Sequence, residues 1–195
     1  MSYFDEQIIK KLNQHKTETQ GTIETGITIR EELYLFERKE LFDNRMSIML
    51  PETFIDMPIE QAKLKYPMEQ RPQIIKTNEA GDINFTFSLI EQQMNNNYVE
   101  ELMRFFKKVL KTAQPSNVFH EEKVEQIGEL TVGWFDYVSN GYDKKLYNIV
   151  YVLPVYGKLL HGVFNCALED GANWRTVALQ VIRSIEETKE QKYGI

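Results

Sequence analysis

Two hydrophobic periods alternate along this chain, and their order restricts the fold more than any single motif does. From about Leu33 the pattern runs hairpin, short helix, hairpin, long amphipathic helix, three strand-like runs and a closing helix. Period-2 runs joined by tight reversals predict antiparallel pairing, because parallel neighbours need long crossovers. The amphipathic helices must then bury their apolar stripes on the sheet. The expectation is an α+β fold: one sandwich, with a largely antiparallel twisted sheet and helices over 97–113 and 173–188 packed on it. A cystatin-like helix on a curved sheet is the alternative.

Local signals place the elements. LYLFERKELF and RMSIML flank Phe42-Asp43-Asn44-Arg45, whose Asp-Asn pair suits a tight reversal, and Leu50-Pro51 ends the second strand. Asp56, Pro58 and Glu60 read as a helix start, with Asp56 as the capping side chain, and Tyr66-Pro67 as its stop. Ile83, Phe85, Phe87 and Leu89 alternate with Asn84, Thr86 and Ser88, a half-buried strand facing PQIIKT across 78–81. In NNNYVEELMRFFKKVLKTA, Asn97 reads as the cap and Glu100 as its reciprocal partner, with Tyr98, Leu102, Phe105, Phe106 and Val109 as the stripe. Asn140-Gly141 marks the first reversal of the closing meander and 154–157 the second; Asn173 reads as the cap of the last helix.

The N-terminal part reads differently. Phe4, Ile8, Ile9 and Leu12 form a short amphipathic stripe, and the Thr- and Gly-containing stretch after it reads as a linker or as an edge strand around Ile27 and Ile29. The expected division is a helix and linker over 1–31 and the sandwich domain over 32–195.

Charge and composition narrow the function classes. With 23 basic and 29 acidic residues the net charge is −6, which disfavours attraction to a phosphate backbone, so no nucleic-acid partner is expected. The N-terminus lacks the apolar core of a secretory signal, and no run approaches the roughly 18 apolar residues of a membrane span. One cysteine, Cys166, fits a reducing compartment and reads as a small buried hydrophobe, so the expected location is the cytoplasm.

Catalytic and metal-binding spacings are missing. The histidines are His15, His120 and His161; His120 and Glu122 would share one face of a strand, yet no third ligand has a defined spacing. No nucleophile elbow, phosphate loop or dinucleotide fingerprint occurs. The expectation is a non-enzyme without cofactor or metal; the alternative is a small hydrolytic or metal-dependent enzyme built on the His120/Glu122 region.

The aromatic meander carries the binding expectation. Leu130, Val132 and Trp134 alternate with Thr131, Phe135 and Tyr137, while Tyr147, Ile149, Tyr151 and Leu153 alternate with Leu146, Val150 and Val152. A sheet apolar on both faces is either covered twice by its own helices or keeps one face for a partner. On the second reading Phe135, Tyr137, Tyr147, Tyr151 and Tyr156 receive an apolar segment of another protein or of a second copy.

The run from RMSIMLPETF to the closing helix resembles the PsbP/Mog-like α/β sandwiches, and among them the bacterial DcrB-type domains. The resemblance rests on the strand ending in Leu50-Pro51, the turn from Glu52 to Asp56, the short helix, the hairpin IIKTNEAGDINFTFSLI, the long helix, the meander and the last amphipathic helix, over roughly 33–187. It implies a sandwich fold and a non-enzymatic role of the assembly, partner-binding or chaperone kind. It implies no shared catalytic site.

Overall fold

A computed structural model describes residues 19–67, 69 and 71–188, together with Glu6, Gln7 and Lys10. Its centre is a seven-stranded sheet formed by β6 (Ile55–Asp56), β7 (Ile74–Thr77), β8 (Asn84–Gln93), β9 (Val118–Ile127), β10 (Leu130–Asn140), β11 (Lys145–Val155) and β12 (Lys158–Ala167). The spatial order is β6-β7-β8-β12-β11-β10-β9, and every neighbouring pair is antiparallel. Ten-residue and eleven-residue strands dense in aromatic and β-branched side chains pair along nearly their full length, as the meander pattern requires.

One face carries the larger core. The helix α3 (Leu168–Arg183) lays Trp174, Val177, Ala178, Val181 and Ile182 against Tyr147, Tyr151, Phe164 and Phe85. Two small sheets close over the same core. One comprises β1 (Thr19–Thr22), β2 (Gly26–Ile29) and β3 (Glu32–Tyr34), the other β4 (Phe36–Leu41), β5 (Met46–Pro51) and β13 (Glu186–Glu187). The opposite face carries α1 (Ile59–Lys65), whose Ala62 meets Ile75, and α2 (Val99–Ala113), whose Val99 and Met103 meet Phe135, Val150 and Val152.

Several local expectations shift. Ile23, Ile27 and Ile29 belong to the α3-side core, so their stretch is not a free linker; β2 is a strand around Ile27 and Ile29, as one alternative expected, but it is the central strand of its small sheet and not an edge. The predicted N-terminal stripe (Phe4, Ile8, Ile9, Leu12) lies outside the described residues. Pro58, not Asp56, is the N-cap residue of α1; Asp56 lies in β6 and pairs with Lys76. Asn95, not Asn97, caps the next segment by accepting from the Asn97 amide, a 3-10 turn over Asn96–Tyr98 precedes α2, and Glu100 pairs with Arg104. Asn173 is buried inside α3, which starts directly at the end of β12 with Ala167 as its N-cap residue. There Gly171 lies so close to Tyr147 that an added Cβ would come within 2.8 Å of the ring, so the glycine is fixed by the helix–sheet approach.

Candidate binding surface

The register sorts the predicted site residues onto two faces. Phe135 and Tyr137 point to the α2 side, whereas Tyr147 and Tyr151 point to the α3 side. All four are buried by the chain's own elements, so no single face presents them to a partner, and that part of the binding expectation is corrected. The physical reason is that the sheet is covered on both sides: α3 and the small sheets take one face, α2 the other. Tyr151 stands fully buried with its ring over Gly162 and its hydroxyl donating to the Thr86 carbonyl at 3.2 Å. Tyr156 alone of the five reaches solvent, at 38% exposure.

Tyr147 instead helps to build a buried polar centre. Asp136 is fully buried and accepts from the Tyr147 hydroxyl at 2.7 Å, the Arg175 Nε at 2.8 Å and the Glu121 amide at 2.7 Å, with the His120 Nδ1 at 3.2 Å. Burial alone would push its carboxyl up; the contacts with His120, Arg175 and Tyr147 outweigh burial and hold it below the usual carboxylate range. Arg175 also pairs with Glu121 and lies over the Trp134 ring. The acceptor positions of Asp136 are thus taken by protein donors, which is the arrangement of a structural anchor between α3, β9 and β10.

A β-bulge explains why His120 and Glu122 do not act together. Phe135 pairs with Glu122 and Tyr137 with Phe119, so His120 and Glu121 together oppose Asp136. The extra residue sends His120 to the Asp136 side while Glu122 bridges to Lys107 on the α2 side. The shared face expected from strand alternation is therefore corrected. Among the described residues no group of three or more His, Cys, Asp and Glu side chains has an arrangement that could hold a metal ion. Cys166 is buried in the α3-side core, where desolvation pushes its thiol up.

Apart from the exposed Leu33 of β3, the exposed Leu35 that follows that strand, and Ile59 and Leu64 of α1, one exposed apolar stripe lies on α2. Its Lys107 flank reaches Glu122 of β9, and its other flank sets Phe106 against His161 of β12, with ring centroids 4.9 Å apart. Burial in this contact lowers the His161 pKa. Next round the helix from Phe106 come Tyr98, Phe105 and Val109, which are 56%, 57% and 45% exposed. Ile90 of β8 is also exposed. At the helix start Tyr98 and Tyr156 line one open cleft of about 640 Å³ with Glu91, Met94 and Lys158. The stripe predicted from sequence is real, but only Leu102 and Phe106 of its members take part in packing, alongside the unpredicted Val99 and Met103.

No protein-family model matches the chain, and no curated protein matches it. Solved structures do. A cyanobacterial PsbP (CyanoP) from Synechocystis sp. PCC 6803 is 12% identical, with 78% of this chain and 92% of that one covered at a TM-score of 0.57. The Ran-binding protein Mog1p of Saccharomyces cerevisiae is 12% identical over 80% of this chain and 96% of that one, at 0.50. A protein of Bacteroides thetaiotaomicron is 13% identical over 80% of this chain and 50% of that one, at 0.52. The chain has the PsbP/Mog-like sandwich fold, an α+β architecture on a largely antiparallel sheet. No helix among the described residues is long and apolar enough to cross a membrane.

Proposed function

We propose that this chain is a non-catalytic protein-binding module whose recognition surface is the outer stripe of α2, continued past Tyr98 to Tyr156. The observation that carries the reading is the exposure of Tyr98, Phe105 and Val109 along one helix line. Contiguous exposed apolar side chains with a charged border mark interaction surfaces. The name of Mog1p, a Ran-binding protein on the same fold, supports a partner-binding role, as does an Asp136 centre whose acceptors are already engaged. The single buried thiol supports a reducing, cytoplasmic setting.

Site-specific photocross-linking in cells tests this. A benzophenone side chain at position 105 or 109 should give a defined protein adduct, whereas the same group at Tyr142, a fully exposed loop tyrosine, should not. Equal labelling at all three positions, or none at 105 and 109, would overturn the assignment.

A further inference from the structure

We infer that the outer edge of β9 pairs with the same edge of a second copy of this chain, antiparallel and centred on Val124, so that the two seven-stranded sheets join. This contact is separate from the α2 stripe.

β9 ends its sheet, and among the described residues no strand lies beyond it. Ile127 and Leu130 flank a two-residue turn whose first residue, Gly128, has a positive φ, so they form a hydrogen-bonded pair. Alternation then commits Ile127, Glu125 and Lys123 to β10, opposite Leu130, Val132 and Trp134. The far end of β10 agrees: the Gly141 amide donates to the Lys144 carbonyl, which turns the odd-numbered residues of β10 towards β11 and leaves the even-numbered ones for β9. Glu122, Val124 and Gln126 therefore hold their amides and carbonyls outward, and all three residues are exposed. An edge of this kind is a template for another strand.

Charge selects the occupant and the register. Outward residues must stand opposite outward residues, so a two-fold axis through the middle of this segment falls on position 123, 124 or 125. On 123 it would set Lys123 against Lys123 of the second copy, and on 125 Glu125 against Glu125. On Val124 it sets Lys123 opposite Glu125 twice, Glu122 opposite Gln126, and the exposed Val124 against its counterpart. Charged side chains on an edge ordinarily keep strands apart, and here one register makes them complementary. Lys123 already reaches Glu125 of its own strand, and the pairing places a second carboxylate beside it. The helices do not obstruct this approach, because α2 packs on β10 and β11 and α3 on β11 and β12, each over its own copy's strands. About six backbone hydrogen bonds over five residues make a small contact, so the dimer should be weak and dependent on concentration.

Sedimentation velocity over a wide concentration range tests it on the full chain. Wild type should shift from monomer to dimer. Val124→Pro removes an amide that β10 does not use, a change edge strands tolerate, and should be monomeric with an unchanged circular dichroism spectrum. Lys123→Glu sets carboxylates opposite each other at two points and should weaken dimerisation about tenfold. Because Cys166 is buried, a short bismaleimide should couple the Val124→Cys variant to itself as a covalent dimer, whereas Tyr142→Cys, in the turn at the far end of β10, should stay uncoupled. If the proline variant loses its fold, Lys123→Glu and the cross-link decide. A wild-type monomer at every concentration, a dimer that Lys123→Glu leaves at full strength, or no covalent dimer from position 124 would overturn the pairing.

Discussion

The Tyr147 hydroxyl donates a 2.7 Å hydrogen bond to the fully buried Asp136 carboxylate, tying β11 to β10 beneath α3. Arg175 of α3 completes the tie from above. Asp136→Ala should cost about 3–5 kcal/mol, because it strands the Arg175 guanidinium and the Tyr147 hydroxyl without their shared acceptor. Tyr147→Phe, which removes one bond to a charged group, should cost about 1–3 kcal/mol. Urea unfolding followed by tryptophan fluorescence separates the two.

The pH dependence of stability should show two descending steps. His161 has a lowered pKa in the fold, so below about pH 6.5 the unfolded chain takes up its proton first and stability falls. His161→Phe should flatten that upper step. Asp136 is held below its ordinary value, so its contribution is full above about pH 4 and is lost as pH falls through the depressed folded value. Thermal melts from pH 8 to pH 3 on wild type and His161→Phe check both; an upper step that survives the substitution would reassign it.

Tyr151 should behave as core. Tyr151→Ala should destabilise by about 3–5 kcal/mol and reduce soluble yield, since the ring fills the space above Gly162. Gly162→Ala tests the same contact from the other side: its Cβ would sit 2.1 Å from the Tyr151 ring, and the overpacking should cost about 1–3 kcal/mol. Denaturation midpoints report either change.

Adjacent phenylalanines on α2 should separate packing from exposure. Phe106→Ala removes the contact with His161 and should cost about 1–3 kcal/mol, at the low end for a phenylalanine because the ring is only partly buried. Phe105→Ala should stay within about 0.5 kcal/mol of wild type in the same melt, as an exposed position does.

The sequence by itself determined the architecture from Leu33 onward. Hairpins, α2, the meander and the closing helix follow from period and turn chemistry, which are local: alternation assigned Phe135 and Tyr137 to one face and left Trp134 on the other, as the structure has them. It also marked the α2 stripe through its spacing. Tertiary structure decided the rest. Whether an apolar face meets solvent depends on which distant element lies over it, so the burial of Tyr147 and Tyr151 under α3, and the exposure of Tyr98, Phe105 and Val109, had no local signature. The linker reading of 19–31 failed for the same reason, since Ile23 and Ile27 find their neighbours on a helix about 150 residues away, near Gln180, whose side chain accepts from the Ile23 amide. The separation of His120 from Glu122 came from one extra residue in an edge strand. A bulge is fixed by what stands opposite it, here a buried carboxylate gathering donors, and pairing partners are not written in a strand's own alternation.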